Sequence, residues 1–148
     1  MARILAFDYG KKRTGIAVTD PLQIIASGLP TVETGNLFDF LKKYLEIEQV
    51  ERFVVGYPTP MENTTHSQSL PLINIFVKDL KKRYPSIPVE LEDEHFTSKL
   101  AVRAMIDGGV KKMKRRDKGL IDKVSASIIL QSYLERKQNN NSINQILK

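Results

Sequence analysis

The 148-residue sequence has no cysteine and no tryptophan. Without thiols there is no disulfide framework, no thiolate metal site and no cysteine nucleophile. Histidine is scarce as well. His66 and His95 are too few and too scattered for a zinc site, and their spacing supports no serine–histidine–acid arrangement. No apolar run approaches the roughly 20 residues that a membrane-spanning helix needs. The opening "MARILAFDYG" carries an early cation, but its apolar stretch meets an aspartate within a few residues and no small-residue cleavage site follows. The expectation is a cytoplasmic protein with no membrane partner. Acidic residues are in deficit: 17 Asp and Glu face 23 Lys and Arg, giving a net charge of +6. Such a balance is compatible with simple solubility, but also with a polyanionic partner.

Cations are abundant and unevenly placed. Residues 111–116 read "KKMKRR", so Lys111, Lys112, Lys114, Arg115 and Arg116 fall in one short block. A phosphate backbone suits such a block better than does a solvated loop. A hydrophobic share of 41% and a charged share of 27% are those of a folded globular chain rather than a disordered one. The length fits one domain, expected over residues 1–137, with "QNNNSINQILK" (138–148) as a frayed, flexible tail.

Periodicity predicts an α/β architecture. Strands are expected over 3–8, 14–20 and 25–33, close enough together for an antiparallel meander. Helix, strand, helix, strand and helix follow over 36–49, 52–58, 67–84, 88–94 and 97–109, with Pro71 acceptable only in a first turn. The last helix is expected over 122–137. The segment "DGGVKKMKRRDKG" (107–119), bounded by glycines and nearly free of apolar residues, reads as a mobile loop. A mixed five-stranded sheet flanked by helices in this order is the layout of the ribonuclease H-like fold, and also of one lobe of actin-like ATPases.

Acidic residues fall where such a sheet gathers them. Asp8 ends the first strand, Asp93 and Glu94 end the strand over 88–94, and Asp122 opens the last helix. Singly, each has a plainer use: a turn residue near Gly10, a solvated strand end, a helix cap. Together, beside the basic block, they read as carboxylates converging at strand ends, tolerable if divalent cations lie between them. Hard oxygen donors favour Mg²⁺ or Mn²⁺, and two such ions about 4 Å apart can activate water for phosphodiester hydrolysis. Asp93 shares the period-two face of Val89 and Leu91, and Glu94 that of Glu90 and Glu92. The pattern leaves open which of the pair joins Asp8.

The stretches "AFDYGKKRTGIAVTD", "VVGYP", "DEHFTS" and "KGLIDKVSASIILQSYLE", in this order, resemble the YqgF/RuvX family over residues 3 to about 135. The family comprises relatives of Holliday-junction resolvases regarded as nucleases that finish the 5′ end of 16S ribosomal RNA. The resemblance implies a ribonuclease H-like nuclease with Asp8, Glu94 and Asp122 as catalytic, metal-binding carboxylates. Lys11, Lys12 and Arg13, with the 111–116 block, would hold the phosphates of precursor 16S rRNA or a pre-ribosomal particle. The sequence departs from the family at His95, where arginine is usual, in the loop "TPMENTTHSQS", which lacks an expected glycine, and at "KVSA", where alanines are common. A junction-resolving DNase, favoured by homodimerism where a monomer would not serve, uses the same chemistry. A nucleotide-binding regulator would need a second lobe for which 148 residues leave no room, and a non-catalytic RNA-binding factor would have no use for the carboxylates.

Overall fold

A computed structural model describes residues 2–58, 66–93, 97–111 and 117–147. Strands β1 (Arg3–Tyr9), β2 (Arg13–Thr19) and β3 (Ala26–Glu33) form the meander. A single 3-10 turn at Thr34–Asn36 leads into helix α1 (Leu37–Ile47), followed by β4 (Val50–Tyr57), α2 (His66–Arg83), β5 (Val89–Asp93), α3 (Thr97–Asp107) and α4 (Lys118–Leu147). The sheet order is β3-β2-β1-β4-β5. β1–β2 and β2–β3 are antiparallel, whereas β1–β4 and β4–β5 are parallel. This is the expected mixed five-stranded sheet.

Strand alternation divides the interior into two cores. Leu5, Phe7, Ile16, Val18, Phe53 and Val55 face α1 and α2, where Leu37, Leu41, Ile73, Phe76 and Leu80 meet them. Phe7 lies edge-on to Phe76 at 5.4 Å, and Tyr9 stacks on the same ring at 4.4 Å. Ile4, Ala6, Ala17 and Val54 face the other way, against Ala126, Ile129, Leu130, Tyr133 and Leu134 of α4. Those α4 positions recur at the three- and four-residue spacing of one helical face, and the small strand residues beneath them let the helix lie close.

Several expected boundaries move. α4 begins at Lys118, not at Asp122, because Asp117 supplies the cap: its Oδ1 accepts from the Gly119 and Leu120 amides at 2.9 and 3.3 Å. The same helix continues to Leu147, so the backbone of the segment expected as a frayed tail is helical to that point. Pro71 lies beyond the first turn of α2, where it removes one ladder hydrogen bond. Of the expected loop over 107–119, Asp107 ends α3 and Lys118 and Gly119 open α4, while 112–116 fall outside the described residues.

Candidate active site

Asp8 follows Ile4 and Ala6 on the α4 side of β1, at the strand's carboxyl end. It is a half-buried strand residue paired with Gly15 of β2, not a turn residue. At Gly15 the α4 backbone lies close against β2. A Cβ built there would lie 2.0 Å from the Asp122 carbonyl oxygen and 2.5 Å from its carbonyl carbon. Only glycine admits this approach, and it brings Asp122 next to the Asp8 strand position. The β2–β3 register shifts between Thr14 and Ile16, a local irregularity at the same glycine.

The amino end of α4 is tied down on two sides. Thr31 on β3 donates a short hydrogen bond to the Gly119 carbonyl. Arg13 at the start of β2 donates from Nε to Asp122 Oδ2 at 3.1 Å. The Asp122 carboxyl is raised above the ordinary range by burial and next by the Asp8 charge; Arg13 opposes this, and Asp117 adds a smaller upward push. Two carboxylates thus share a partly desolvated space, with the Arg13 guanidinium bonded to Asp122.

The β1–β2 turn is held as firmly. Thr34 Oγ1 donates to the Gly10 carbonyl at 2.6 Å, its amide donates to the Lys12 carbonyl at 3.0 Å, and its hydroxyl lies 3.0 Å from that of buried Thr14. Lys11 and Lys12 project from this anchored turn into solvent. Lys111 is exposed beyond α3; Lys112, Lys114, Arg115 and Arg116 lie outside the described residues.

On β5 the parity question has a structural answer as far as Asp93. Val89 pairs with Phe53 and Asp93 with Tyr57, placing both on the α1/α2 side. Glu90 and Glu92 take the α4 side. Buried Glu92 accepts from Arg136 Nε and Nη2 at 3.0 and 2.8 Å and from Ser132 Oγ at 3.2 Å, while Glu90 Oε1 accepts from Arg52 at 3.3 Å. Exposed Asp93 therefore faces away from Asp8. Glu94 and His95 lie outside the described residues, and His66 is described in its backbone alone. Among the described residues no three His, Cys, Asp or Glu side chains are grouped to hold a metal ion; the site shows two carboxylates, Asp8 and Asp122.

Sequence reasoning misses how these parts are joined. Arg13 reads as a phosphate ligand, and its bond to Asp122, remote in the chain, has no local signal. Gly15 carries no chemistry that would single it out in the sequence, yet it is the seat of the helix. Asp117 reads as part of a basic loop, yet it caps α4.

The chain matches the family model described as "RuvX: Holliday junction resolvase" over residues 2–136. A protein of Phocaeicola vulgatus is 59% identical over 138 residues, covering 93% of this chain and 99% of its own, and is named "Putative pre-16S rRNA nuclease". Relatives of the same name from Christiangramia forsetii and Porphyromonas gingivalis are 58% and 56% identical, covering 90% and 91% of this chain and 98% and 97% of theirs. Among solved structures, Thermus thermophilus RuvC in complex with a Holliday junction substrate superposes with a TM-score of 0.56 at 16% identity, covering 93% of this chain and 96% of that one. The Fowlpox virus resolvase, in complex with Holliday junction DNA, gives 0.54 at 10% identity over 90% and 97%. These likenesses establish the ribonuclease H-like fold.

Proposed function

Because this chain belongs to the RuvX family, we propose that it is a divalent-metal-dependent nuclease that trims the 5′ end of precursor 16S rRNA. It is a hydrolase acting on ester bonds. The observation that carries the metal reading is the convergence of Asp8 and Asp122 on one face of the sheet, each charge disfavouring the other. Hard oxygen donors with shared negative charge in a half-buried site fit Mg²⁺ or Mn²⁺. Asp8, Asp122 and Glu94 would hold the metal. The alternation of β5, with Glu90 and Glu92 on the α4 side, supports Glu94 over Asp93 as the third carboxylate. When bound, such ions lower the pKa of water and stabilise the leaving oxygen of a phosphodiester.

The chain's own residues would do the rest. Lys11 and Lys12, on a turn pinned by Thr34, are proposed to grip phosphates beside the carboxylates. Lys111 and the cations over 112–116 would extend that grip along the RNA. We assign the nuclease to residues 1–137, supported by the family match over 2–136. No helix among the described residues is long and apolar enough to cross a membrane, and ribosomal precursors would be met in the cytoplasm.

A DNA junction is the second candidate substrate, favoured by the description of the matching family and by the junction bound to the RuvC that shares this fold. Purified protein should be offered a 5′-extended 16S precursor and a four-way DNA junction, each with Mg²⁺, Mn²⁺ or EDTA, and its oligomeric state measured alongside. Cleavage of the RNA with either metal and none in EDTA is expected. Preferential cleavage of the junction by a dimer would transfer the assignment to the resolvase reading.

A further inference from the structure

We propose that Arg13 is a placeholder cation: its guanidinium holds Asp122 while the metal is away and is displaced from that carboxylate when the metal arrives. The inference rests on the metal reading of Asp8 and Asp122 and concerns a residue with a different role from either. The contact joins Arg13 Nε to Asp122 Oδ2 at 3.1 Å. It is a single N–H to oxygen bond, not the two-pronged fork that makes arginine–carboxylate pairs rigid. Side-chain exposures of 37% for Arg13 and 23% for Asp122 leave the pair open to an incoming ion. Such half-exposed pairs are weak enough to exchange.

Charge accounts for the need. Burial and, next, the neighbouring Asp8 charge both disfavour a negative charge on Asp122. The Arg13 guanidinium, 3.1 Å from Asp122 Oδ2, offsets part of that negative charge while no cation is bound. The same guanidinium repels the cation and occupies one of the carboxylate's oxygens. Coupling is reciprocal: whatever Arg13 subtracts from metal affinity, metal subtracts from the Arg13–Asp122 bond. A guanidinium released at the mouth of the site keeps its donors and its charge for a phosphate oxygen, the part expected of it from sequence.

Mn²⁺ binding to the full chain without RNA, followed by titration calorimetry, tests the exchange on wild type and on Arg13→Gln, Arg13→Lys and Asp122→Asn. Arg13→Gln should bind Mn²⁺ about tenfold tighter, because the cation no longer meets a positive charge at that carboxylate. It should also melt lower than wild type in EDTA and gain more on adding Mn²⁺. Arg13→Lys, which keeps the charge, should bind nearly as wild type does. In the unmodified chain, the Arg13 Nε–H resonance should be protected from exchange in EDTA and lose that protection at saturating Mg²⁺, a readout independent of any variant. Unchanged or weaker Mn²⁺ binding in Arg13→Gln, or an Arg13 resonance indifferent to Mg²⁺, would overturn the placeholder role while weakened binding in Asp122→Asn still upheld the metal site. Asp122→Asn binding Mn²⁺ as wild type does would instead overturn the metal reading, and this inference with it.

Discussion

Gly15→Ala is the smallest change that should separate the two halves of the site. The new methyl carbon would stand 2.0 Å from the Asp122 carbonyl oxygen and 3.2 Å from its Cα, so the clash is with helix backbone, which cannot swing aside. Relieving it to an ordinary contact of 3.4 Å requires α4 and β2 to part by about 1.4 Å or more, and overpacking of this kind costs about 1–3 kcal/mol. The first turns of α4 would move most, because the clash falls on Asp122 within them, and the Arg13 and Thr31 bonds that tie them to the strands would be stretched. Asp122 would then shift relative to Asp8, and misplacement by about 1 Å can cost on the order of 100-fold in rate. Gly28→Ala is the control: its Cβ would meet Lys123 Cγ at 2.6 Å and Ser127 Oγ at 3.0 Å, both on side chains that can turn away. Urea unfolding and cleavage of precursor RNA should be measured on both variants. The reasoning is refuted if Gly15→Ala matches wild type in stability and rate, or if Gly28→Ala is the more damaged of the two.

Burial and Asp8 raise the Asp122 carboxyl, so the fold holds that proton more tightly than the unfolded chain does. The resulting stability is fully present below the ordinary carboxylate value of about 3.9 and is lost as pH rises through the elevated one. Asp122→Asn should abolish that part of the pH dependence of unfolding in EDTA and should melt higher than wild type at neutral pH. Arg136→Ala should cost about 2 kcal/mol in urea unfolding, because it strands the buried Glu92 carboxylate; the half-exposure of Arg136 keeps the loss below that of a fully buried pair. Replacing Lys111, Lys112, Lys114, Arg115 and Arg116 by glutamine should weaken RNA binding and lower the slope of log K against log salt by about 0.7 to 0.9 for each phosphate no longer neutralised. An unchanged slope would make the block a solvated surface.

The strands, helices and mixed five-stranded sheet were legible because each element carries its own local periodicity. Residues 4–7 and 53–55 are unbroken apolar runs, and α4 carries an apolar stripe from Ala126 to Leu134 that a period of 3.6 detects directly. Helix ends were less legible. Asp117 and Asp122 are both acceptable caps by residue type, and only the Gly119 and Leu120 amides decide for Asp117. Asparagines after Gln138 argue locally against helix, yet the backbone continues through them to Leu147. At the site, strand parity favoured Glu94 over Asp93 only once the β4 register fixed which face of β5 meets α4. The Arg13–Asp122 bond and the Gly15 seat are made by tertiary packing between residues remote in sequence, so no periodicity could announce them.

Cleavage of one 5′-extended 16S precursor by Asp8→Asn, Asp122→Asn, Glu94→Gln and Asp93→Asn, in Mg²⁺ and in Mn²⁺ with fold checked by circular dichroism, tests the carboxylate site most directly. Losses of several orders of magnitude are expected for the first three variants and a rate within a few-fold of wild type for Asp93→Asn. Strong activity of Asp8→Asn in Mn²⁺, or an inactive Asp93→Asn beside an active Glu94→Gln, would contradict the proposed site.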